Sequence, residues 1–243
     1  MRRLVGTAAY ELPWIESAYA WQRDRVRARL TAAARDRVNR RRHGPSAPRF
    51  AERLWVDPSM VRSVMVHGSA LGNSARVSDD FPASLIAPLD GDAVFVAAVA
   101  HWVDGLSWEQ TGEIERMERA IRAKGPIKGC RSRADILRRC ARLDEIFQTV
   151  EREKRLRTQA EAEPGTFREV GGIGMHIGPG GVPIRAANGR HRFAMARILG
   201  LPPIPVRIAL VHPDARAALG RLRRPPAVAP LLDPAEDDRG ARD

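Results

Sequence analysis

Lysine is almost missing from this chain of 243 residues: Lys124, Lys128 and Lys154 stand against 38 arginines. So strong a bias reflects genomic base composition as well as function, and only the placement of the charge carries information. Cysteine is just as scarce. Cys130 and Cys140 are the only two, too few for a zinc site, and in an intracellular chain they read as reduced core residues. Aromatic residues make up 5%, and Trp14, Trp21, Trp55, Trp102 and Trp108 lie mostly in apolar stretches, where they fill a core and do not stack on bases. No apolar run reaches the roughly 18 residues of a membrane span, and the start "MRRLVGTAAYELPW" lacks the apolar heart of a signal peptide. A cytoplasmic protein is the expectation.

Catalytic signatures are missing too. There is no G-K-[ST] phosphate loop and no G-x-S-x-G elbow. His67, His101, His176 and His212 lack metal-ligand spacing, so no metal is expected. "GGIGMHIGPGG" contains the glycines of a dinucleotide fingerprint, but they interrupt a hairpin and do not join a strand to a helix.

What is present is an uneven charge. The net charge is +12, of which residues 1–50 contribute +8 and residues 225–243 contribute −3. Residues 14–42 have neither glycine nor proline and read as one long helix, with Ile15, Tyr19, Val26, Leu30 and Ala33 at helical spacing. That helix is a candidate nucleic-acid contact, which makes a non-catalytic DNA-binding or adaptor protein the alternative function.

After the stop at Gly44, Pro45 and Pro48, "RLWVDP" reads as a strand, "SMVRSVM" as a brief helix and residues 67–92 as irregular structure. "DAVFVAAVAHWVDG" is apolar on most sides, as a buried helix or strand would be, and its alanines and length favour the helix. A helix capped by Ser107 with Gln110 ends at Gly125-Pro126; another, capped by Ser132 with Asp135, buries Ile136, Cys140, Leu143, Phe147 and Val150. From residue 170 the period falls to 2. Ile173, Met175 and Ile177, then Val182, Ile184 and Ala186, form a hairpin. A helix over about 190–199 and the strand "IPVRIALV", with Val206, Ile208 and Leu210 on one face, complete a crossover expected to be right-handed. "HPDARAALGRLRR" adds a last helix, and the tail beyond Pro225 is expected to be disordered.

The candidate site is "NGRHR", Asn188 to Arg192. A helix start exposes unpaired amides and about half a positive charge. Stacking Arg190, His191 and Arg192 there is unfavourable unless an anion arrives, and Gly189 allows that anion to approach the backbone. His191 is the best-placed candidate catalytic base, with His176, Asp144 and Glu169 as others.

"VPIRAANGRHRFAMARILGLPPIPVRI" resembles the core of the ParB/sulfiredoxin superfamily, in which a G-x-x-R helix start lies between a strand and an "I-P-V" strand. The resemblance implies an α/β (α+β) fold with a mixed sheet, preceded by a helical N-terminal region. It implies that Gly189, His191 and Arg192 hold the phosphates of ATP or CTP, and it brings Arg157, Thr158 and Gln159 near the same pocket. "LWVDP" matches the family's first strand. Arg190 stands where sulfiredoxins carry their catalytic cysteine, which argues against peroxiredoxin repair; partition proteins have there a glutamate that helps hold Mg²⁺. The implied organisation is a basic arm over 1–49, a mainly helical region over 50–142, the ParB-like domain over 143–212, and a short helix with tail over 213–243. The implied function is binding of a nucleotide or phosphorylated small molecule, as a phosphotransferase or a nucleotide switch.

Overall fold

The structure, a computed structural model, describes residues 13–65, 72–79, 81 and 83–226. Seven α-helices and a six-stranded mixed sheet make up the described chain. The helices are α1 (Pro13–His43), α2 (Ala93–Trp102), α3 (Glu113–Lys124), α4 (Arg133–Glu153), α5 (Gln159–Ala162), α6 (Arg190–Ile198) and α7 (Leu219–Leu222). The strands are β1 (Arg53–Val56), β2 (Ser63–Met65), β3 (Ile86–Pro88), β4 (Ile173–Ile177), β5 (Pro183–Arg185) and β6 (Ile204–Val211), in spatial order β1-β6-β4-β5-β2-β3. No helix among the described residues is long and apolar enough to cross a membrane.

The hairpin of β4 and β5 is antiparallel, as the alternation requires, and β6 runs parallel to β4. β6 therefore runs opposite to β5 and is separated from it by β4, so the expected parallel crossover between neighbouring strands does not form. The chain leaves β5, passes through α6 and returns beyond β4. The "SMVRSVM" helix is also absent: a single 3-10 turn at Pro58–Met60 precedes β2, which extends the sheet by pairing with β3 and β5. Within residues 67–92, Ile86–Pro88 forms the edge strand β3.

Leu210 does not share a face with Val206 and Ile208. The register between β4 and β6 shifts after Met175, and Leu210 turns to a small cluster with Met65 and Ile184 while Val211 joins the main core. His176 stabilises this bulge: its Nδ1 accepts from Leu210 N at 3.2 Å and its Nε2 faces Met65 O at 3.2 Å. A backbone N–H only donates and a carbonyl only accepts, so the ring holds its proton on Nε2.

The Ser107/Gln110 box forms, with Ser107 N donating to Gln110 Oε1 at 2.8 Å, but it closes a turn and not a helix. Gly112, left-handed at φ 75°, is the residue before α3. The second box works as the pattern requires, since Ser132 and Asp135 cap α4 reciprocally. Ile136, Cys140, Leu143 and Val150 are buried along it.

α1 exists, but its buried stripe is Ala28, Ala32 and Asn39, while Val26 and Leu30 are 56% and 67% exposed. Small alanines permit close approach to Phe50 and Ala51, and Asn39 Nδ2 donates to Pro48 O and Ala75 O at 2.7 and 2.8 Å, so packing and hydrogen bonds outweigh residue hydrophobicity in choosing the face. The side chains of Trp14, Ile15, Tyr19 and Trp21, residue His67 and the tail from 227 onward lie outside the described residues.

α6 lies between two cores. Phe193 and Ala196 pack on the sheet with Ile173, Val206 and Ile208, and Met195 packs into a helical cluster with Trp108, Ile114 and Cys140. Burial on both sides fixes where its first turn sits.

Candidate functional site

Beyond β5, Ala186 N donates to Gly174 O at 2.9 Å and Gly174 N donates to Asn188 O at 3.2 Å. The chain then turns at Gly189, left-handed at φ 75°, and α6 begins with no side chain capping it. A Cβ at Gly189 would lie 2.8 Å from the Ile173 backbone, so glycine is required both by conformation and by space. Asn188 itself is exposed.

Arg190 Nε donates to Ala187 O at 3.3 Å, and its Nη1 lies 4.0 Å from Asp92 Oδ2. Asp92 is the N-cap of α2 and is held more closely by Arg185, whose Nη2 is 2.7 Å away. Arg185 is 1% exposed.

His191 turns inward. Its Nε2 is 3.6 Å from Glu113 Oε1, beyond hydrogen-bond reach, and its ring meets Trp108 edge-on at 6.2 Å. Burial lowers its pKa and Glu113 offsets part of that. Burial alone would raise Glu113; the facing His191 ring and the Arg116 guanidinium, whose Nη2 and Nε lie 2.6 and 2.7 Å from the carboxylate, bring it down to about 2.

Arg192 goes elsewhere, with Nη2 donating to Gly171 O at 2.6 Å. Burial lowers its pKa against the pull of Glu169. Glu169, buried, accepts from Arg53 Nε at 2.7 Å and from Gln159 N at 3.0 Å. Beside it, Arg207 is fully buried in β6, and burial pushes its pKa down to about 10.

The segment before α5 does reach this region. Arg157, Gln159, Glu169 and Arg192 line one hollow of about 10 Å³, room for about one water. Arg157 is exposed and paired with Glu153 through Nε to Oε2 at 3.0 Å and a second contact. Thr158 caps α5, accepting from Glu161 N at 3.3 Å. A roomier hollow, about 340 Å³, lies at the other end of α6 beside Asp57, Ser59 and Arg197.

The sequence-derived set is thus divided. Gln159, Arg157 and Arg192 converge on one side of the first turn; Arg190 and His191 face the helical region on the other. Of the alternative bases, His176 holds the β6 bulge, Glu169 is bound by two donors, and Asp144 accepts from Trp102 Nε1 at 3.0 Å, Trp108 Nε1 at 3.1 and 3.2 Å and faces His101 Nε2 at 3.0 Å. Sequence reasoning overlooked Arg185 and Arg207; an arginine in mid-strand, inside "VPIRA" and "IPVRIALV", was the available signal. The arrangement presents amide and guanidinium donors, which suit an oxyanion. Comparison with family models, with curated proteins and with solved structures finds no match to this chain.

Proposed function

We propose that this chain binds a phosphate-bearing ligand, a nucleotide such as ATP or CTP or a phosphorylated small molecule, at the start of α6. The supporting observation is the uncapped first turn at Gly189 with Arg190 and Arg192 on its two sides. Amides without internal partners and guanidinium groups are the donors a phosphate needs. Arg192 holds a single neutral carbonyl, which a charged oxygen replaces favourably. Arg157 gives up only an exposed, solvent-screened ion pair to open the hollow.

Binding, as a nucleotide switch, is favoured over phosphotransfer because each candidate base is turned inward or engaged by other groups. Thermal-shift measurements against ATP, CTP and inorganic phosphate, with and without Mg²⁺, test this. A ligand at about 100 times its Kd stabilises by about 2.7 kcal/mol, a rise of about 5–10 °C. Arg192→Ala abolishes the rise on this reading, and a flat response across the panel overturns it.

One observation favours a second reading. Arg29, Arg37, Arg40, Arg41 and Arg42 are exposed on α1, and among the described residues none is paired with a carboxylate. They suit a nucleic-acid backbone. If so, affinity for duplex DNA falls steeply with salt, and Arg37→Gln/Arg40→Gln/Arg41→Gln lowers that slope by about 3.

A further inference from the structure

The face of α1 turned away from the protein is not an ordinary solvated face. Val26, Leu30, Ala34 and Val38 follow one another at intervals of four residues, a spacing that keeps side chains on one ridge. All four are exposed, Leu30 at 67%. Arg29, Arg37, Arg40, Arg41 and Arg42 are exposed along the same stretch. Asp36, the only carboxylate between Val26 and His43, is turned to the protein, accepting from Phe50 N and from Arg168 Nη2, each at 2.7 Å. An apolar ridge with a cationic border suits a partner that is itself apolar and acidic.

Such a segment lies in this chain. Residues 227–243 hold Val228, Leu231 and Leu232, followed by Asp233, Glu236, Asp237 and Asp238. A relay of hydrogen bonds brings the start of that segment to the basic end of α1. Gly44 N donates to Arg40 O at 3.0 Å, Ala47 N donates to Gly44 O at 3.2 Å, and Arg223 Nη2 donates to Ala47 O at 3.1 Å. Glu52 fixes Arg223 a second time, accepting from its Nε at 2.8 Å. The described chain ends three residues later, at Pro226. From Val26 to Val38 the helix spans about 18 Å, whereas residues 227–243 reach about 60 Å when fully extended. Tethering presents their acids at a local concentration on the order of millimolar, so weak pairing suffices.

We propose that residues 227–243 dock on the outer face of α1, with Leu231 and Leu232 on the ridge from Val26 to Val38 and with Asp233, Glu236, Asp237 and Asp238 against the arginines. The contact screens the helix from polyanions. It is independent of the phosphate reading at α6, and it places an internal competitor on the face that the second reading gives to nucleic acid.

A spin label on Ala235→Cys in the full chain tests the contact, since Cys130 and Cys140 are buried. At about 0.05 M salt the label is expected to broaden the methyl signals of Val26, Leu30 and Val38. The broadening disappears at about 1 M salt, where the Debye length is about 3 Å. It also disappears when Asp233→Asn, Glu236→Gln, Asp237→Asn and Asp238→Asn are combined, with the signals of the sheet core verifying the fold. Sharp methyl signals at low salt overturn the proposal, and so does broadening that survives the neutralised variant. Broadening confined to Val38, nearest the exit at Pro226, reports the tether alone and overturns it too. A mixture of isotope-labelled chain and spin-labelled chain reads contact between molecules: broadening there assigns the face to a second copy and removes the chain's own segment from it. If the methyl signals ignore the label but shift on addition of duplex DNA or phosphatidylserine vesicles, the face belongs to nucleic acid or to a membrane surface, and the proposal is overturned.

Discussion

His191 and Arg192 are consecutive, yet the first places Nε2 3.6 Å from Glu113 of α3 and the second donates to Gly171 O at 2.6 Å, beside the sheet. Successive helical residues diverge by about 100°, so one turn serves two neighbourhoods. On the proposed reading, a ligand at Gly189 would lie between the two. The consequences are measurable without knowing the ligand.

Gly189→Ala destabilises the chain by about 2 kcal/mol or more, because φ is 75° and the new Cβ meets Ile173 at 2.8 Å. Gly200→Ala is the control: φ is 59° but nothing lies within 4 Å, and about 1 kcal/mol is expected. Urea denaturation of both variants separates the steric part from the conformational part.

Glu113 makes stability pH-dependent. Its carboxyl falls from 4.5 unfolded to about 2 folded, so its contribution is complete above pH 4.5 and is lost as pH falls through 2. About 3 kcal/mol is at stake. In Glu113→Gln that portion of the acid limb flattens, and stability at pH 7 falls by about 3 kcal/mol because Arg116 loses its charged partner. His191 adds in the same direction over a higher window. Its pKa is lowered on folding, so the unfolded chain binds the extra proton and stability declines as pH drops below about 6.5.

Asp144 fastens three aromatic side chains, Trp102, Trp108 and His101. Removing the acceptor in Asp144→Ala leaves their N–H groups without it and costs about 2 kcal/mol; Asp144→Asn, which keeps an oxygen, costs less. Near-ultraviolet circular dichroism, sensitive to the His101–Trp108 stack at 4.2 Å, follows the loss.

Cys140 is inert in the native chain. Burial pushes its thiol up to about 12, so thiolate is scarce at pH 8. A disulfide reagent reacts with Cys140 only after denaturant is added; rapid native labelling contradicts the burial.

Periodicity and punctuation located α4, the β4–β5 hairpin, α6 and β6, and alanine content and length located α2, because those segments bury one face or are apolar throughout. It misjudged segments whose partner is distant. The face of α1 depends on Asn39 finding the carbonyls of Pro48 and Ala75, and "SMVRSVM" extends because β3 and β5 offer backbone partners. Arg185 and Arg207 carry a residue type that marks a surface; the fold brings Asp92 to Arg185 and the charge of Glu169 to bear on Arg207.

The sequence alone determined the turn at Gly189 and the clustering of Arg190, His191 and Arg192 after it, since both follow from local backbone geometry and adjacency. The direction of each of those side chains, and the company of Glu113, were decided by tertiary structure. Charges from residues 92 to 192 meet only when α6 is packed between the sheet and the helices, and no local pattern records a contact made at that separation.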